Sequence, residues 1–361
     1  MLIVTPNNLY GGSDAILEEV ALELAAQGFQ IDVVCLMDLR GIGWKKLPPQ
    51  IKLHYLKAPN YSLGILKLFF FLRKMAKRKK YDYSFSTNIH INAALGLARK
   101  MGVFNVEQLI VRESTPVFNR FRGLVLWFYR LRYWVGYNAV NKVVCQTNDM
   151  EEQLVKHVPF LSHKTVVINN PLNTEKIFHQ ATQAPSLVFT RPYIIAAGRL
   201  MKLKRFHLLI EAYAQLQGDK PDLVILGDGD ERSNLEELIR VRNLEERVFL
   251  PGYRANPFPY FQKAAVAIVC SEVEGFPNTI LQMLLLNDKC ICTACCDGLT
   301  AIPALEVIPV NDTSAIRSAL QKFISRNPFS QEELEAKRSY LKELGIHNYV
   351  IDLLNPVEAT E

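Results

Sequence analysis

Short apolar runs alternate with amphipathic stretches along the chain, and this alternation narrowly limits the folds available to it. LIVTP, FQIDVVCLM and YDYSFST have the composition of buried strands, whereas SDAILEEVALELAAQG repeats its apolar residues at helical spacing. The alternation begins again at PYIIAAGRL, after a polar segment that we interpret as a hinge near residues 170–190. Such alternation is typical of parallel sheets with helices on both faces.

Two such units follow each other within 361 residues, a length that suits two domains better than one. We therefore predict an α/β fold of two Rossmann-like, doubly wound domains that face each other across a cleft. The predicted boundaries are 1–172 for the N-terminal domain, 173–345 for the C-terminal domain and 346–361 for a tail that can return to the first domain. Ligands of such sheets bind at the carboxyl ends of the strands.

Seven cysteines without the spacing of a disulfide framework indicate a reducing, cytoplasmic compartment. Four of them, Cys290, Cys292, Cys295 and Cys296, fall within CICTACC. No histidine lies near this run, and zinc sites usually show two separated ligand pairs. We therefore favour a buried strand that uses cysteine as a small apolar residue over a metal site.

Positive charge follows the first strand of the second half. Arg199, Lys202, Lys204 and Arg205 lie within seven residues of one another, directly after PYIIAAG. The acidic residue Glu211 lies too far along the chain to neutralise them, so we expect the cluster to bind an anion. A solvated basic turn is the alternative.

Glycine turns and a helix start follow the next strands. In DLVILGDGD, Gly227 and Gly229 permit a sharp turn and close approach of a ligand, and we favour a plain turn over a metal-binding DxD motif. In EGFPNTILQ, residues 274–282, Glu274 can accept hydrogen bonds from hydroxyl groups, and the amides at the start of the following helix suit a phosphate. Near the N-terminus, Gly11 and Gly12 precede a helix in the same way, although a Gly-Gly pair is also a common turn. Together these groups describe a site for a sugar diphosphate.

In content and order these blocks resemble the retaining glycosyltransferases of family 4, which have the two-domain GT-B fold. The matching blocks are GGSDAILEEVALELAAQGFQIDVV, AAGRLMKLKRFHLLIEAY, LVILGDGDERSNLEELI, VFLPGY and SEVEGFPNTILQML. The resemblance implies an acceptor-side N-terminal domain and a C-terminal domain that binds the nucleotide sugar. It also implies transfer of a hexose or N-acetylhexosamine from a UDP- or GDP-sugar to a glycan or lipid-linked acceptor in bacterial surface polysaccharide synthesis. Retention of configuration and the absence of a metal or other cofactor are expected in the same way.

The resemblance also implies roles for individual residues. Arg199 and Lys204 would bind the donor diphosphate and stabilise charge on the leaving phosphate, while Glu274 would hold hydroxyls of the donor sugar. His90, which follows the strand YDYSFST, would lie near the reacting sugar, although a histidine there is also often structural. The other implied donor contacts are Gly12, Gly227, Gly229, Gly275, Phe276, Pro277, Asn278, Thr279 and Gln282. Arg112 and Glu113 end an apolar segment and are expected to line the acceptor side.

The sequence departs from the family pattern in three places. Arg205 replaces a common glycine, which we interpret as only adding charge, and CDGLTAI replaces a segment that often carries a glutamate close to the donor. Gln282 replaces the second glutamate of E-x7-E, which typically holds the ribose hydroxyls. An amide still accepts a hydrogen bond, at a loss of about 1 kcal/mol relative to a carboxylate, so we interpret Gln282 as a retained contact.

Charge is unevenly distributed, since residues 1–180 carry 23 Lys and Arg against 13 Asp and Glu, whereas the remainder carries 19 against 23. KLFFFLRKMAKRKKYDY and NRFRGLVLWFYRLRYW combine basic and aromatic residues, which suits an anionic membrane surface. In the alternative, Phe69, Phe70, Trp127 and Tyr133 belong partly to the core. No nucleic-acid-binding module accompanies the charge. We expect a cytoplasmic protein that is peripheral on the inner membrane.

Three other functions stay open. A sugar-nucleotide epimerase of the same architecture would bind the donor but would need acid–base carboxylates. A catalytically weak donor-binding or scaffold subunit is suggested by Gln282. A nicotinamide dehydrogenase is disfavoured because the third glycine of its fingerprint is missing.

Overall fold

The computed structural model describes residues 1–8, 12–39, 43–45, 47–326 and 329–357. These residues form two compact units. Unit 1 contains Met1–Pro171 together with the segment that begins at Ile346, and unit 2 contains Leu172–Gly345. The sequence analysis places the two boundaries after residues 172 and 345, so the first differs from the structure by one residue and the second is the same.

Unit 1 is built on a parallel sheet of seven strands in the order β3-β2-β1-β4-β5-β6-β7. Its strands are β1 (Leu2–Asn7), β2 (Ile31–Met37), β3 (Ile51–Tyr55), β4 (Tyr81–Ser86), β5 (Val106–Arg112), β6 (Lys142–Cys145) and β7 (Thr165–Val167). Its first six helices are α1 (Gly12–Ala26), α2 (Tyr61–Ala76), α3 (Ile89–Lys100), α4 (Val117–Arg120), α5 (Gly123–Gly136) and α6 (Asn148–His157). The central strands are buried on both faces, as a doubly wound sheet requires.

Unit 2 is built on a parallel sheet of six strands in the order β10-β9-β8-β11-β12-β13. Its strands are β8 (Tyr193–Ala197), β9 (Asp222–Leu226), β10 (Val248–Gly252), β11 (Val266–Val269), β12 (Cys290–Thr293) and β13 (Glu306–Ile308). Its helices are α7 (Thr174–Ala181), α8 (Phe206–Ala214), α9 (Arg232–Val241), α10 (Phe258–Lys263), α11 (Asn278–Leu286), α12 (Thr313–Ser325) and α13 (Gln331–Glu343). The predicted α/β class with two Rossmann-like domains is confirmed.

The last helix, α14 (Ile346–Leu354), belongs to unit 1 although it follows unit 2 in the chain. Its side chains Tyr349, Val350 and Leu353 are buried in the same apolar cluster as the inner face of α1. Within unit 2, the amide of Leu172 donates to the carbonyl of Leu344 at 2.7 Å, so the two points where the chain passes between the units lie side by side.

Two interpretations from the sequence analysis, the hinge and the cysteine run, can be compared directly with the structure. The hinge expected near residues 170–190 is not irregular throughout, because α7 lies within it. Asn173 caps that helix by accepting from the amide of Lys176, and Ile177 and Ala181, one turn apart, are buried in unit 2. The buried-strand interpretation of the cysteine run is confirmed, since β12 is wholly buried.

Two absences hold for the part of the chain that the structure describes. It contains no group of three or more His, Cys, Asp or Glu side chains that could hold a metal ion. None of its helices is both long and apolar enough to cross a bilayer.

Candidate active site

In each sheet, the strand order reverses between two neighbouring strands. The reversal falls between β1 and β4 in unit 1 and between β8 and β11 in unit 2. At such a point the loops after the two strands diverge and leave a crevice in which ligands of doubly wound folds bind. The predicted catalytic and donor-binding residues all follow one of these four strands or β9, the neighbour of β8, whereas Arg112 and Glu113 lie at the end of β5.

At the reversal in unit 2, a lysine and a glutamate from different strands pair with each other. Lys204 follows β8 and Glu274 follows β11, and the Lys204 Nζ lies 2.5 Å from the Glu274 Oε1. Both side chains are about one-fifth exposed. The hydroxyl of Ser271 donates to the same carboxylate oxygen at 2.7 Å. The sequence analysis missed Ser271, although it lies three residues before Glu274 in the same loop.

The structure corrects two expectations about the basic cluster. The inference that the cluster is not neutralised, which rested on the distance to Glu211 alone, is wrong for two of its cations, because Glu274 pairs with Lys204 and Glu272 pairs with Arg205 at 2.7 Å. These acids come from the loop after β11, about 70 residues later in the chain. The interpretation of Arg205 as only added charge is also wrong, since its backbone is left-handed, with φ at +52°, a conformation that favours glycine.

Two cations of the cluster keep the capacity to bind an external anion. Arg199 and Lys202 are exposed, and the described residues offer neither side chain an ion-pair partner. They follow the carboxyl end of β8, where the sequence analysis predicts a diphosphate.

Gly227 and Gly229 hold the loop after β9 against the loop that carries Arg199. A Cβ atom on Gly227 would lie 1.9 Å from the carbonyl oxygen of Gly198, and one on Gly229 would lie 2.4 Å from that of Leu200. The Leu200 amide donates to the Asp228 carbonyl at 2.9 Å, which joins the two loops. Both glycines therefore position the basic loop through backbone contact.

Replacing Gly227 with alanine should displace the Arg199 loop. The φ of +139° and the contact with Gly198 together make alanine unfavourable there, and backbone strain of this kind costs about 1–3 kcal/mol. We expect a lower melting temperature of unit 2 and at least tenfold slower donor turnover. Gly218→Ala is the matched control, because its φ is +75° but its Cβ would meet nothing within 4 Å. Equal turnover in both variants would contradict this role.

The segment from Gly275 to Gln282 carries the remaining predicted donor contacts of unit 2. Gly275, Phe276 and Pro277 are buried, and α11 begins at Asn278. The first amides of a helix have no acceptor within it and carry partial positive charge, which suits a phosphate at residues 278 and 279. Gln282 lies one turn beyond Asn278, is partly exposed and has no hydrogen-bond partner among the described residues.

The residue directly before CDGLTAI supports the Glu274 loop through its backbone. The amide of Glu274 donates to the carbonyl of Cys295 at 2.9 Å. Hydrogen bonds from the thiols of Cys292 and Cys296 lower the pKa of the Cys295 thiol. Asp297, the acidic residue of this segment, is exposed.

At the reversal in unit 1, His90 lies in the first turn of α3. Asn88 caps this helix by accepting from the amides of His90 and Ile91. The imidazole stacks on Tyr129 at a centroid distance of 5.8 Å and meets Tyr61 edge-on at 5.6 Å. Its Nδ1 is buried and finds no partner within the described residues. Gly12 begins α1 after the neighbouring strand, whereas Gly11 lies outside the described residues.

The protonation of His90 should make the stability of unit 1 depend on pH. Burial, with a smaller effect of Arg132, lowers the pKa of His90 from 6.5 to about 4. The unfolded chain therefore binds a proton between pH 6.5 and 4 that the folded chain does not, so the stabilisation is lost as pH falls through that window. We expect the melting temperature of the wild type to fall more steeply from pH 7 to 4.5 than that of His90→Phe. An equal dependence of the melting temperature on pH in the two proteins would contradict the lowered pKa of His90.

The expectation that Arg112 and Glu113 line the acceptor side stays a prediction, since Glu113 lines a small pocket of unit 1 together with Phe118 and Tyr133. The side chains of Arg112 and Glu113 are buried, and the Glu113 carboxylate accepts from the hydroxyls of Tyr133 at 2.8 Å and Tyr137 at 2.5 Å. The Arg112 guanidinium donates to Asn170. Burial raises the pKa of Glu113 and lowers the pKa of Arg112. These groups form an interior polar network.

Two sequence models of known families match the two halves of the chain. The model described as Glycosyltransferase Family 4 matches residues 10–176, and the model described as Glycosyl transferases group 1 matches residues 180–340. The two matches divide the chain close to the boundary between the units.

Individual relatives agree with these matches. The N-acetylgalactosamine-N,N'-diacetylbacillosaminyl-diphospho-undecaprenol 4-alpha-N-acetylgalactosaminyltransferase of Campylobacter jejuni is 30% identical over 257 residues, which are 68% of each chain. The lipopolysaccharide core biosynthesis glycosyltransferase LpsE of Rhizobium meliloti is 25% identical over 275 residues, 75% of this chain and 72% of that protein. Among solved structures, Anabaena HepE in complex with UDP-glucose matches with a TM-score of 0.77 and 14% identity, over 98% of this chain and 97% of that one. The chain therefore belongs to glycosyltransferase family 4 and has the GT-B fold.

Proposed function

We propose that this chain transfers a hexose or N-acetylhexosamine from a nucleotide-diphosphate sugar to a lipid-linked glycan, with retention of the anomeric configuration. The observation that carries the proposal is the pair of Lys204 and Glu274 beside the exposed Arg199 at the strand reversal of unit 2. A carboxylate suits sugar hydroxyls and adjacent cations suit a diphosphate, so the arrangement supports a donor that has both groups.

The cations of this site support a reaction that does not depend on a metal ion. Arg199 and Lys204 offer positive charge where the leaving phosphate would develop negative charge. In the proposed reaction, the bond from the anomeric carbon to the phosphate oxygen breaks and the acceptor oxygen bonds on the same face. The proton of the acceptor hydroxyl passes to the leaving phosphate. Pairing with Lys204 and Ser271 holds Glu274 in place to accept from the donor sugar.

The names of the relatives support the choice of acceptor and donor. The C. jejuni enzyme acts on a diphospho-undecaprenol glycan, and LpsE takes part in lipopolysaccharide core biosynthesis. HepE binds UDP-glucose. We therefore place this chain in bacterial surface polysaccharide synthesis, with a UDP-sugar as the first donor to test.

The test is nucleoside diphosphate release from a panel of UDP- and GDP-sugars in the presence of EDTA. We expect one donor to be consumed and its rate to be unchanged by EDTA, with retention then read from the anomeric signals of the product. No nucleoside diphosphate release from any donor, together with no donor binding by calorimetry, would contradict the transferase proposal. Donor binding without turnover would favour the scaffold alternative.

Replacing Gln282 with glutamate should tighten donor binding several-fold. A carboxylate accepts a ribose hydroxyl more strongly than an amide, by about 1 kcal/mol. The partly exposed position one turn into α11 has room for the charge. Gln217→Glu adds the same charge at an exposed position of unit 2 and should leave the donor KM unchanged. Weaker binding by Gln282→Glu alone would show that this position does not face the ribose.

A further inference from the structure

The outward side of α5 exposes an unusual amount of apolar surface. The exposed fractions are 78% for Leu124, 55% for Trp127, 50% for Phe128, 44% for Leu131 and 59% for Trp134. Their spacing of three or four residues places them on one side of the helix, which we call the outer face of α5. Apolar surface this continuous on a soluble domain usually marks an interaction site.

The helix cannot turn this face inward. Its opposite side packs on α3, where a Cβ on Gly136 would lie 2.3 Å from the carbonyl oxygen of Ala93 and one on Gly96 would lie 2.1 Å from that of Gly136. Tyr133, on the same inner side, is buried. Backbones in such close contact fix the rotation of α5 about its axis, so the outer face stays exposed to whatever adjoins it.

The segment that carries the outer face has charged side chains of one sign. Residues 114–148 contain no Asp or Glu, and Arg120, Arg122 and Arg130 are exposed. A second copy of the chain would bring the same cations together across a twofold axis, which is unfavourable. A partner with negative charge at its surface and an apolar interior satisfies both features of this helix.

We propose that the outer face of α5 lies in the interface of an anionic lipid bilayer. Trp127 and Trp134 then occupy the headgroup region, Leu124, Phe128 and Leu131 contact the acyl chains, and the arginines contact lipid phosphates. The purpose of this contact rests on the proposed function, because a lipid-linked acceptor is met at such a surface.

The same helix also contacts a residue of the candidate site. Tyr129, on the inner side of α5, stacks on His90. One rigid helix thus contacts the bilayer on one side and the acceptor-side histidine on the other. Docking by α5 would therefore fix the distance between His90 and the lipid surface.

The test is co-sedimentation of the full chain with vesicles, without donor or acceptor. We expect binding to phosphatidylcholine mixed with phosphatidylglycerol, little binding to phosphatidylcholine alone, and at least tenfold weaker binding for the double variant Trp127→Glu, Leu131→Glu. The matched control is Val188→Glu, Val241→Glu, which adds the same charge at positions 73% and 62% exposed in unit 2. All four positions are exposed, so both double variants should fold, as melting curves will show.

Two results would overturn the proposal. The first is equal vesicle binding by the wild type and the α5 variant. The second is no vesicle binding, combined with a wild-type dimer in light scattering that the α5 variant abolishes, which would assign the face to a second copy. Since no sugar is transferred in this assay, its outcome is independent of whether the transferase proposal holds.

Discussion

Glu274→Ala should lower kcat/KM for the donor by about a hundredfold or more, because each hydrogen bond to a carboxylate contributes about 1.5–3 kcal/mol and two sugar hydroxyls can be bound. The Glu274 side chain is not needed for folding, because it is partly exposed. The hydrogen bond from the Glu274 backbone amide to the Cys295 carbonyl is kept in the variant. We therefore expect a melting temperature close to that of the wild type.

The same variant should bind the free nucleoside diphosphate at least as tightly as the wild type. In the wild type, Glu274 occupies Lys204 through a 2.5 Å ion pair. Without the Glu274 carboxylate, the Lys204 ammonium is available to bind the phosphates. Loss of transfer with retained or stronger diphosphate binding separates a sugar-binding carboxylate from a residue that only maintains the loop. Calorimetric titration with UDP and with GDP measures the diphosphate binding.

Glu272→Ala is the control for this prediction. Glu272 lies two residues away, is also partly exposed and pairs with Arg205 instead of Lys204. We expect less than a threefold change in kcat/KM. A loss as large as that of Glu274→Ala would show that the acidic loop acts as a whole and not through one carboxylate.

Arg112→Ala should lower the free energy of unfolding of unit 1 by about 1.5–3 kcal/mol, because the variant removes the hydrogen bonds that a buried, charged guanidinium donates. Arg112 is 1% exposed and its guanidinium donates to Ser114 at 3.1 Å and to Asn170. Glu113, its buried neighbour, would keep only neutral donors.

Tryptophan fluorescence during denaturant unfolding reports this effect selectively. The three tryptophans of the chain are Trp44, Trp127 and Trp134, and all of them lie in unit 1. Arg78→Ala removes an exposed arginine from the same unit and should change the midpoint very little. An Arg112→Ala midpoint equal to that of Arg78→Ala would show that the buried network contributes no stability.

The elements of both sheets could largely be predicted from apolar periodicity, because the central strands are buried on both faces and consist of continuous apolar runs. The loops at the strand ends could be located in the same way. Their internal pairings could not, since Glu272 and Glu274 lie about 70 residues from the cations that they contact. Only the strand order, which brings β11 beside β8, shows that these loops meet.

The burial of Arg112 could not be predicted from the sequence, for a related reason. A charged pair at the end of an apolar run is typical of an exposed loop. In this fold Tyr133 from α5, Tyr137 directly after that helix and Tyr349 from α14 lie over the strand end and bury both side chains. The helix α7 was missed because its eight residues carry only two buried apolar positions.

The return of α14 to unit 1 constrains the order in which the protein can fold during synthesis. Unit 1 lacks Tyr349, Val350 and Leu353 from its core until residues 172–345 have been made. At about 5–20 residues per second, the ribosome needs roughly 10–35 s for that stretch. During this interval unit 2 can form independently, while the apolar side chains of α1 in unit 1 are not yet covered by α14. The nascent chain should thus need chaperone protection at its N-terminal half, and shortening the chain before Ile346 should destabilise the domain that was synthesised first.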